Sequence, residues 1–536
     1  MRSAAAAARR HPWLLAFGVA GLAIIALKLS ALGTSPPGLY VDEASIGYNA
    51  WSIAHHGVDE HGNSFPLLYF PAFGEYKNSL YIYLLAPLTW VLPLTTYVVR
   101  LPAALCGIAV CALVGATAWT VMRDRAVALA ALVTTGVTPW LTLESRVGFE
   151  VVSMTVTLTL AIWCYANAVR DGPRASRWLL GCGMALGLSV FAYSTGRVFV
   201  ATLVILLIAV DGRWRRLSIL PALLPVFGAY VLLGVYARNH PGALTSRFNL
   251  LSIGSDDPGL ITEAYRFLRN YFTYDSVPFL FTNGDGNLRH STGYGGVLLV
   301  TTLPLVVLGL VRCVRTWREP VSRMLLAGLV AGPVPASLTA EGTPHALRSA
   351  TMLPFLLVII AYGWAEILPV LTPRRLVASF VALALAIDAG GFMWDLFVRY
   401  PARAVESYNW FDAGAVGAIQ TAHEQAGSHR VYVSNAISPD GQMYIQALFA
   451  LTPPPVTQPQ DDSQAPELAQ VGITVLGDAS EIAGASQSGD ILVLAPDESA
   501  PQGSTLVDTE EVIVAPDAVT IPDVSRVVVL VRVWRR

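Results

Sequence analysis

Apolar runs dominate the chain up to about residue 396, separated by short polar turns, and then become shorter and sparser. A membrane span needs about 20 consecutive apolar residues. The runs predict eleven spanning helices, at roughly 12–32, 99–121, 126–143, 150–169, 178–194, 198–210, 217–236, 295–311, 321–338, 350–369 and 376–396. Residues 79–94 are also apolar, but the run is short, rich in Tyr and Trp, and holds Pro87 and Pro93. It reads as a helix lying in the membrane interface; the alternative is a twelfth span. The first run could serve as a signal peptide, but its length and the lack of a clear A-x-A site favour an anchor. Beyond residue 397, strand-like runs occur at 429–434, 490–495 and 526–534, with a helical period over about 412–426 and a Pro/Gln/Asp-rich loop at 452–468. The pattern predicts a polytopic α-helical membrane domain, 1–396, followed by a small α/β domain, 397–536.

Composition agrees. Of 536 residues, 54% are apolar and 13% charged, against about 25% charged in an ordinary soluble domain. A net charge of −2 argues against a nucleic-acid partner. The basic residues are almost all arginine, and lysine occurs only as Lys28 and Lys77. Sixteen arginines fall in six short segments: Arg2 to Arg10, Arg123 and Arg125, Arg170 to Arg177, Arg213 to Arg216, Arg312 to Arg318, and Arg374 with Arg375. Counting the interfacial run as non-spanning puts all six on one side, which the positive-inside rule makes cytoplasmic. The N-terminus is then expected inside and the C-terminal domain outside the cytoplasmic membrane. The bias to Arg and Ala suggests a high-GC bacterium. The five cysteines lie in or beside apolar runs without a CxxC, and read as small core residues.

Unusual polar content gathers in the predicted outer loops. Asp42 and Glu43 follow the first span by ten residues, and charge beside hydrocarbon is costly enough to require a reason. The first loop adds Tyr48, Asn49, Asp59, Glu60, Glu75, Tyr76 and Lys77. Later loops add Glu144, Arg146 and Glu150; Ser194, Thr195 and Arg197; Asn270; Asp285, Arg289 and His290; and His345 with Arg348. Five loops supplying polar groups on one side resemble a site built on a rigid scaffold. These groups suit transfer from a lipid-phosphate-linked donor. A carboxylate can take the proton of an acceptor hydroxyl as it attacks. Lys77, Arg197 or Arg348 can hold the charge of a departing phosphate. The short polar turns on the cytoplasmic side carry no nucleotide-sugar signature.

The run Gly38 to Gly62, Glu75-Tyr76-Lys77, Arg146-Val147-Gly148-Phe149-Glu150, Gly284 to His290, and Pro335 to Thr339 with Pro344 to Ser349 together resemble bacterial family-39-type glycosyltransferases. These belong to the GT-C superfamily, with the protein O-mannosyltransferases and the lipid A aminoarabinose transferases. The resemblance covers about 30–400. It implies a GT-C-like membrane domain, inverting transfer from a polyprenyl-phosphate sugar, and an essential first-loop acid that maps onto Asp42. It maps a second acid best onto Glu150, with Glu144 the nearby alternative, and a phosphate-binding lysine onto Lys77. Here Asn78-Ser79 replaces the family's Lys-Pro or Pro-Pro. Asp42, Glu43 and Glu150 are thus expected to be catalytic, and Lys77, Arg197, Arg348 and Tyr76 to meet the donor's phosphate or lipid. Tyr48, Asn49, Glu75, Arg146, Asp285, Arg289, His290 and His345 are expected around the substrates. No cofactor is assigned. A divalent metal is left open because some relatives use one, although His290 and His345 lack ligand spacing. The expected partners are the polyprenyl-phosphate donor, the bilayer, and an acceptor that is protein, lipid or polysaccharide.

Each residue also has a plainer reading. Asp42 could cap a helix starting near Ala44, Glu43 could support that helix, and Lys77 could be a snorkelling anchor. Arg146 and Glu150, four apart, could be a structural ion pair, and Asp285, Arg289 and His290 a self-contained loop. Two other functions compete: a transporter or flippase of lipid-linked saccharides, and a ligase moving whole glycans from a polyprenyl diphosphate. A transporter would carry charge near mid-membrane, whereas here it sits at helix ends.

Overall fold

The computed structural model describes residues 12–536 apart from 74, 257–258, 341, 371–374, 407–408, 439, 457–464 and 515–525. Each of the eleven predicted spans contains a helix. Among the described residues, seven helical stretches are long and apolar enough to cross a bilayer. The other four predicted spans are shorter. Helices Arg125–Val137, Ser194–Val210, Leu303–Arg315 and Pro320–Ala331 have 13, 17, 13 and 12 residues, whereas a helix needs about 20 to cross. Three are lengthened by a separate short piece: Pro139–Glu144, Val300–Thr302 and Val334–Ser337. Prolines explain two of the breaks. Pro139 opens a new first turn, and Pro333 follows Gly332 where Pro320–Ala331 ends.

The chain divides into two compact units, one of Met1–Ser30, Ala103–Arg146 and Glu150–Met393, the other of Ala31–Pro102, Val147–Phe149 and Trp394–Arg536. In the first, glycines let helices approach to backbone contact. A Cβ on Gly309 would sit 2.0 Å from the Ile359 carbonyl, and one on Gly363 would sit 2.1 Å from the Leu305 carbonyl, so Leu303–Arg315 and Leu353–Val370 interlock reciprocally. Gly183 meets Ala222 in the same way, at 2.2 Å. Small residues serve this purpose where the hydrophobic effect does not drive helices together.

The second unit joins the first loop to the C-terminal tail. The loop folds as helix Val41–His56, the antiparallel strands Tyr69–Ala72 and Glu75–Asn78, and helix Ser79–Val91. That last helix has 13 residues, about 20 Å of rise against about 30 Å of hydrocarbon, too short to span. Helix Val41–His56 ends at Gly57, whose φ of +74° lets its N–H bond back to the Ser52 and Ile53 carbonyls.

The tail is a mixed five-stranded sheet in the order Ile473–Leu476, Val431–Ser434, Ile491–Leu494, Arg526–Arg535, Thr505–Val514. Val431 pairs in parallel with Ile473 and Ile491, and Ile491 pairs antiparallel with Arg535. The predicted strands at 429–434, 490–495 and 526–534 and the helix at 412–426 correspond to observed elements, the helix being Ala415–Ala426. Two strands, Ile473–Leu476 and Thr505–Val514, lack a sequence counterpart because their alternation is interrupted by polar residues. Tyr432, Ile482, Leu492 and Leu494 form a buried cluster in this unit.

Candidate functional site

In the second unit, Asp42 and Glu43 occupy the first turn of helix Val41–His56. The helix starts at Val41 with Tyr40 preceding it, so Asp42 lies inside the first turn and not at the capping position before Ala44. A carboxylate there is favoured by the helix dipole. Successive helical residues differ by about 100° around the axis, which sends the two acids to different surroundings.

Glu43 points inward and is fully buried. It accepts from Arg100 Nε and Nη2, each at 2.8 Å, from the Gly148 N–H at 2.7 Å and from the Tyr40 N–H at 3.3 Å. Arg100, also fully buried, spends its remaining donors on the carbonyls of Leu32, Pro36 and Gly38 at 3.1, 2.7 and 2.9 Å. All five guanidinium N–H groups are engaged. With both oxygens committed in this network, Glu43 is a positioning residue, which corrects its expected catalytic place and agrees with the supporting role also weighed for it. Arg100 escaped the sequence reading. Its signal was available: an arginine inside an apolar segment, away from the six arginine clusters, needs a buried partner.

Asp42 points elsewhere, with its side chain 32% exposed. Its Oδ1 accepts from Lys77 Nζ at 2.5 Å, and the lysine is itself only 7% exposed. Lys77 lies on strand Glu75–Asn78 opposite Phe70, with its ammonium 5.2 Å from the Phe73 ring centroid. The hairpin therefore delivers to Asp42 the lysine that the sequence left 35 residues away. Tyr76 is half-buried on the same strand, and the side chain of Glu75 lies outside the described residues.

Tyr48 and Asn49, expected beside substrate, are fully buried and belong to the framework. Tyr48 donates to the Pro453 carbonyl at 2.9 Å, and burial raises the pKa of its phenol. Asn49 donates to Glu60 Oε1 and accepts the Glu60 N–H, both at 2.9 Å, while Ser45 donates to the same Oε1 at 3.0 Å. Burial pushes the Glu60 carboxyl up to about 7. The physical reason for the correction is that the helix is enclosed on every side: Val41, all residues from Glu43 to Ala50, Ser52 and Ile53 are buried.

In the first unit, Asp285, Arg289 and His290 lie in a loop built of Asx turns. The Asn287 N–H bonds to Asp285 Oδ1 and the Arg289 N–H to Asn287 Oδ1, both at 2.9 Å. Gly284 opens the loop with φ +68°. Asp285 Oδ2 accepts from His290 Nδ1 at 2.9 Å and from the Ala346 N–H at 2.7 Å. His290 stacks on His345 with ring centroids 4.4 Å apart. The loop is therefore more than self-contained, since it grips the 338–349 segment. Ligand atoms of Asp285, His290 and His345 all lie within 4.8 Å of one another. These three are the group among the described residues that could hold a divalent metal. Asp285 orients His290 through Nδ1, the arrangement in which a histidine ligates a metal through its other ring nitrogen.

Arg348 is nearly buried and its Nη1 donates to Thr339 Oγ1 at 3.3 Å. Arg146 is fully buried and donates to the Leu27 and Ser30 carbonyls at 3.2 and 2.7 Å, closing the end of helix Pro12–Leu29. That geometry makes it a framework residue. Glu150 is half-buried just before helix Val151–Arg170, its carbonyl accepting the Ser153 N–H at 3.0 Å. Arg197 is half-buried in the first turn of Ser194–Val210, and its carbonyl accepts from the Tyr230 hydroxyl at 2.5 Å. Nearby, Glu144 is buried and accepts from Thr155 at 2.9 Å, while buried Lys28 donates to Thr142 at 3.0 Å.

Solved structures show what this architecture resembles. ArnT from Cupriavidus metallidurans, bound to undecaprenyl phosphate, superposes with a TM-score of 0.56 at 13% identity, over 98% of each chain. Its apo form gives 0.57 at 12% identity over the same shares. The chain has a GT-C fold. The archaeal oligosaccharyltransferase AglB from Archaeoglobus fulgidus, in complex with an inhibitory peptide and a dolichol-phosphate, matches at 0.50 with 13% identity, over 89% of this chain and 70% of AglB. No family model matches the sequence, and no curated protein matches it. The GT-C likeness, together with seven candidate spans, makes this a multi-pass membrane protein.

Proposed function

We propose that the protein is an inverting glycosyltransferase that moves a sugar from a polyprenyl-phosphate donor to an acceptor at the outer face of the bacterial cytoplasmic membrane. The observation that carries this reading is the partly exposed Asp42 carboxylate held by Lys77 at the start of a buried helix, in a chain with the fold of ArnT and AglB. Asp42 takes the proton of the acceptor hydroxyl as that oxygen attacks the anomeric carbon. The bond from that carbon to the phosphate oxygen breaks with inversion, and polyprenyl phosphate departs with the electron pair. A phosphate leaving group needs cations more than an acid, and Lys77 is the cation we assign to it in this unit. Its bond to Asp42 keeps the ammonium fixed until a phosphate competes for it. Tyr76 and Glu75 are assigned to the same neighbourhood of the chain.

Further roles are proposed separately for the first unit. Glu150 is the second acid, Arg197 and Arg348 are phosphate-binding cations, and Asp285, Arg289, His290 and His345 contact substrate. The arginine pattern supports a cytoplasmic N-terminus and an extracytoplasmic tail. The fold shared with AglB supports one other reading, a ligase moving a preassembled glycan. Assay of purified protein with labelled polyprenyl-phosphate mannose, glucose and arabinose separates them. Single-sugar transfer lost in Asp42→Asn supports the first reading. Transfer undiminished by that substitution removes Asp42 from the mechanism.

A further inference from the structure

Between helices Leu220–Asn239 and Leu303–Arg315 runs helix Leu260–Tyr274, which none of the chemistry above uses. At 100° per residue its side chains divide into three sectors. Leu260, Tyr271, Ala264, Leu268, Ile261, Phe272 and Tyr265 fill an arc of roughly 140°. Arg269, Thr262, Thr273 and Arg266 fill the next, and Asn270, Glu263, Tyr274 and Phe267 the last. The third sector packs on protein: Asn270 and Tyr274 are buried, and Asn270 donates to the Thr339 carbonyl at 3.0 Å. The second is polar, with Arg266 paired to Asp256 at 2.6 and 2.9 Å. Apart from Tyr271, whose hydroxyl donates to the Val330 carbonyl at 2.9 Å, the first is apolar and open, from 52% exposure at Leu268 to 88% at Ile261.

Soluble surfaces rarely carry so many large apolar side chains together. On the neighbouring span Leu220–Asn239, Phe227 is 68% exposed, as a side chain facing lipid should be. Both ends of the segment are thus tethered to apolar helices. Aromatic residues on the apolar arc and arginines beside it match the composition of helices lying in a membrane interface. A helix with one edge on protein, one polar and one apolar suits a place where protein, water and lipid meet.

We propose that Leu260–Tyr274 lies in the membrane interface with its apolar arc in the acyl region of a phospholipid bilayer. Through Asn270 it is bonded to the 337–349 segment that carries His345 and Arg348, so the depth of the helix sets the depth of that segment. This stands independently of the reaction proposed above, because it is read without turnover.

The test uses the full chain in phosphatidylcholine vesicles, with an environment-sensitive fluorophore on a cysteine introduced in turn by Ile261→Cys, Phe272→Cys, Thr262→Cys and Arg269→Cys. The parent protein, in which Cys106 is half-buried and the other four cysteines are buried, gives the background. Quenching by a nitroxide on the lipid acyl chain is compared with quenching by aqueous iodide. Positions 261 and 272 should be quenched several-fold more by the lipid nitroxide than 262 and 269, with the reverse order for iodide. Equal iodide quenching at all four positions overturns the proposal. Shielding of 261 and 272 from both quenchers also overturns it, and would assign the arc to a protein partner or a second copy.

Discussion

Replacing Asp42 and Glu43 one at a time should separate chemistry from folding within a single dipeptide. Glu43→Gln removes the charge facing Arg100, a fully buried pair with two 2.8 Å contacts. Breaking such a pair leaves an uncompensated buried cation and costs about 3–5 kcal/mol. At about 2–4 °C per kcal/mol for a unit of this size, the melting temperature should fall by roughly 6–20 °C. Asp42→Asn disturbs a pair whose acid is a third exposed but whose lysine is buried, so its structural cost should lie between the ~1 kcal/mol of an exposed pair and the ~3–5 kcal/mol of a fully buried one. If Asp42 is the base, its loss should slow transfer by about 10²–10⁴-fold. The assay is thermal unfolding in detergent beside sugar transfer from polyprenyl-phosphate donors. A Glu43→Gln protein that melts like wild type yet fails to turn over, or an Asp42→Asn protein that turns over normally, refutes the reasoning.

Glu60 should make the protein's stability depend on pH. Burial lifts its carboxyl from the ordinary 4.5 to about 7, so the folded state holds this proton more tightly than the unfolded chain. That contribution is complete below about pH 4.5 and is lost as pH rises through about 7, a swing of ~3 kcal/mol; Glu60→Gln should flatten this part of a stability-versus-pH curve. Gly38→Ala should destabilise the second unit by more than ~2 kcal/mol in chemical denaturation, because φ is +76° and a Cβ would meet the Phe411 carbonyl at 2.3 Å. Gly363→Val should lower the melting temperature of the detergent-solubilised protein more than Gly228→Val does. A Cβ on Gly363 strikes the Leu305 backbone, whereas one on Gly228 meets nothing within 4 Å.

Much of the architecture was legible from local pattern. Run length and the strand-like runs of the tail are properties of neighbouring residues, and the helices and strands observed there follow them. The short pieces at 139–144 and 334–337 were not, because a proline break inside an apolar run leaves mean hydropathy unchanged. Asp42 was conspicuous as charge beside hydrocarbon. That Glu43 differs from it depends on Arg100, 57 residues on, and on Gly148, 105 residues on. The burial of Tyr48 and Asn49 was not legible, because Val41–His56 mixes polar and apolar residues yet is enclosed on every side.

By itself, then, the sequence determined that the chain crosses a membrane repeatedly and which ends of its helices carry positive charge. It also determined that the tail forms a sheet, because hydropathy and period are summed over adjacent residues. Tertiary structure alone decided which acid is exposed and which is locked to Arg100. It brought Lys77 onto Asp42, and Asp285 onto the backbone of Ala346 across 61 residues. Those outcomes follow from tertiary packing, which encloses Glu43 among Arg100, Gly148 and Tyr40 and leaves Asp42 a third exposed beside Lys77.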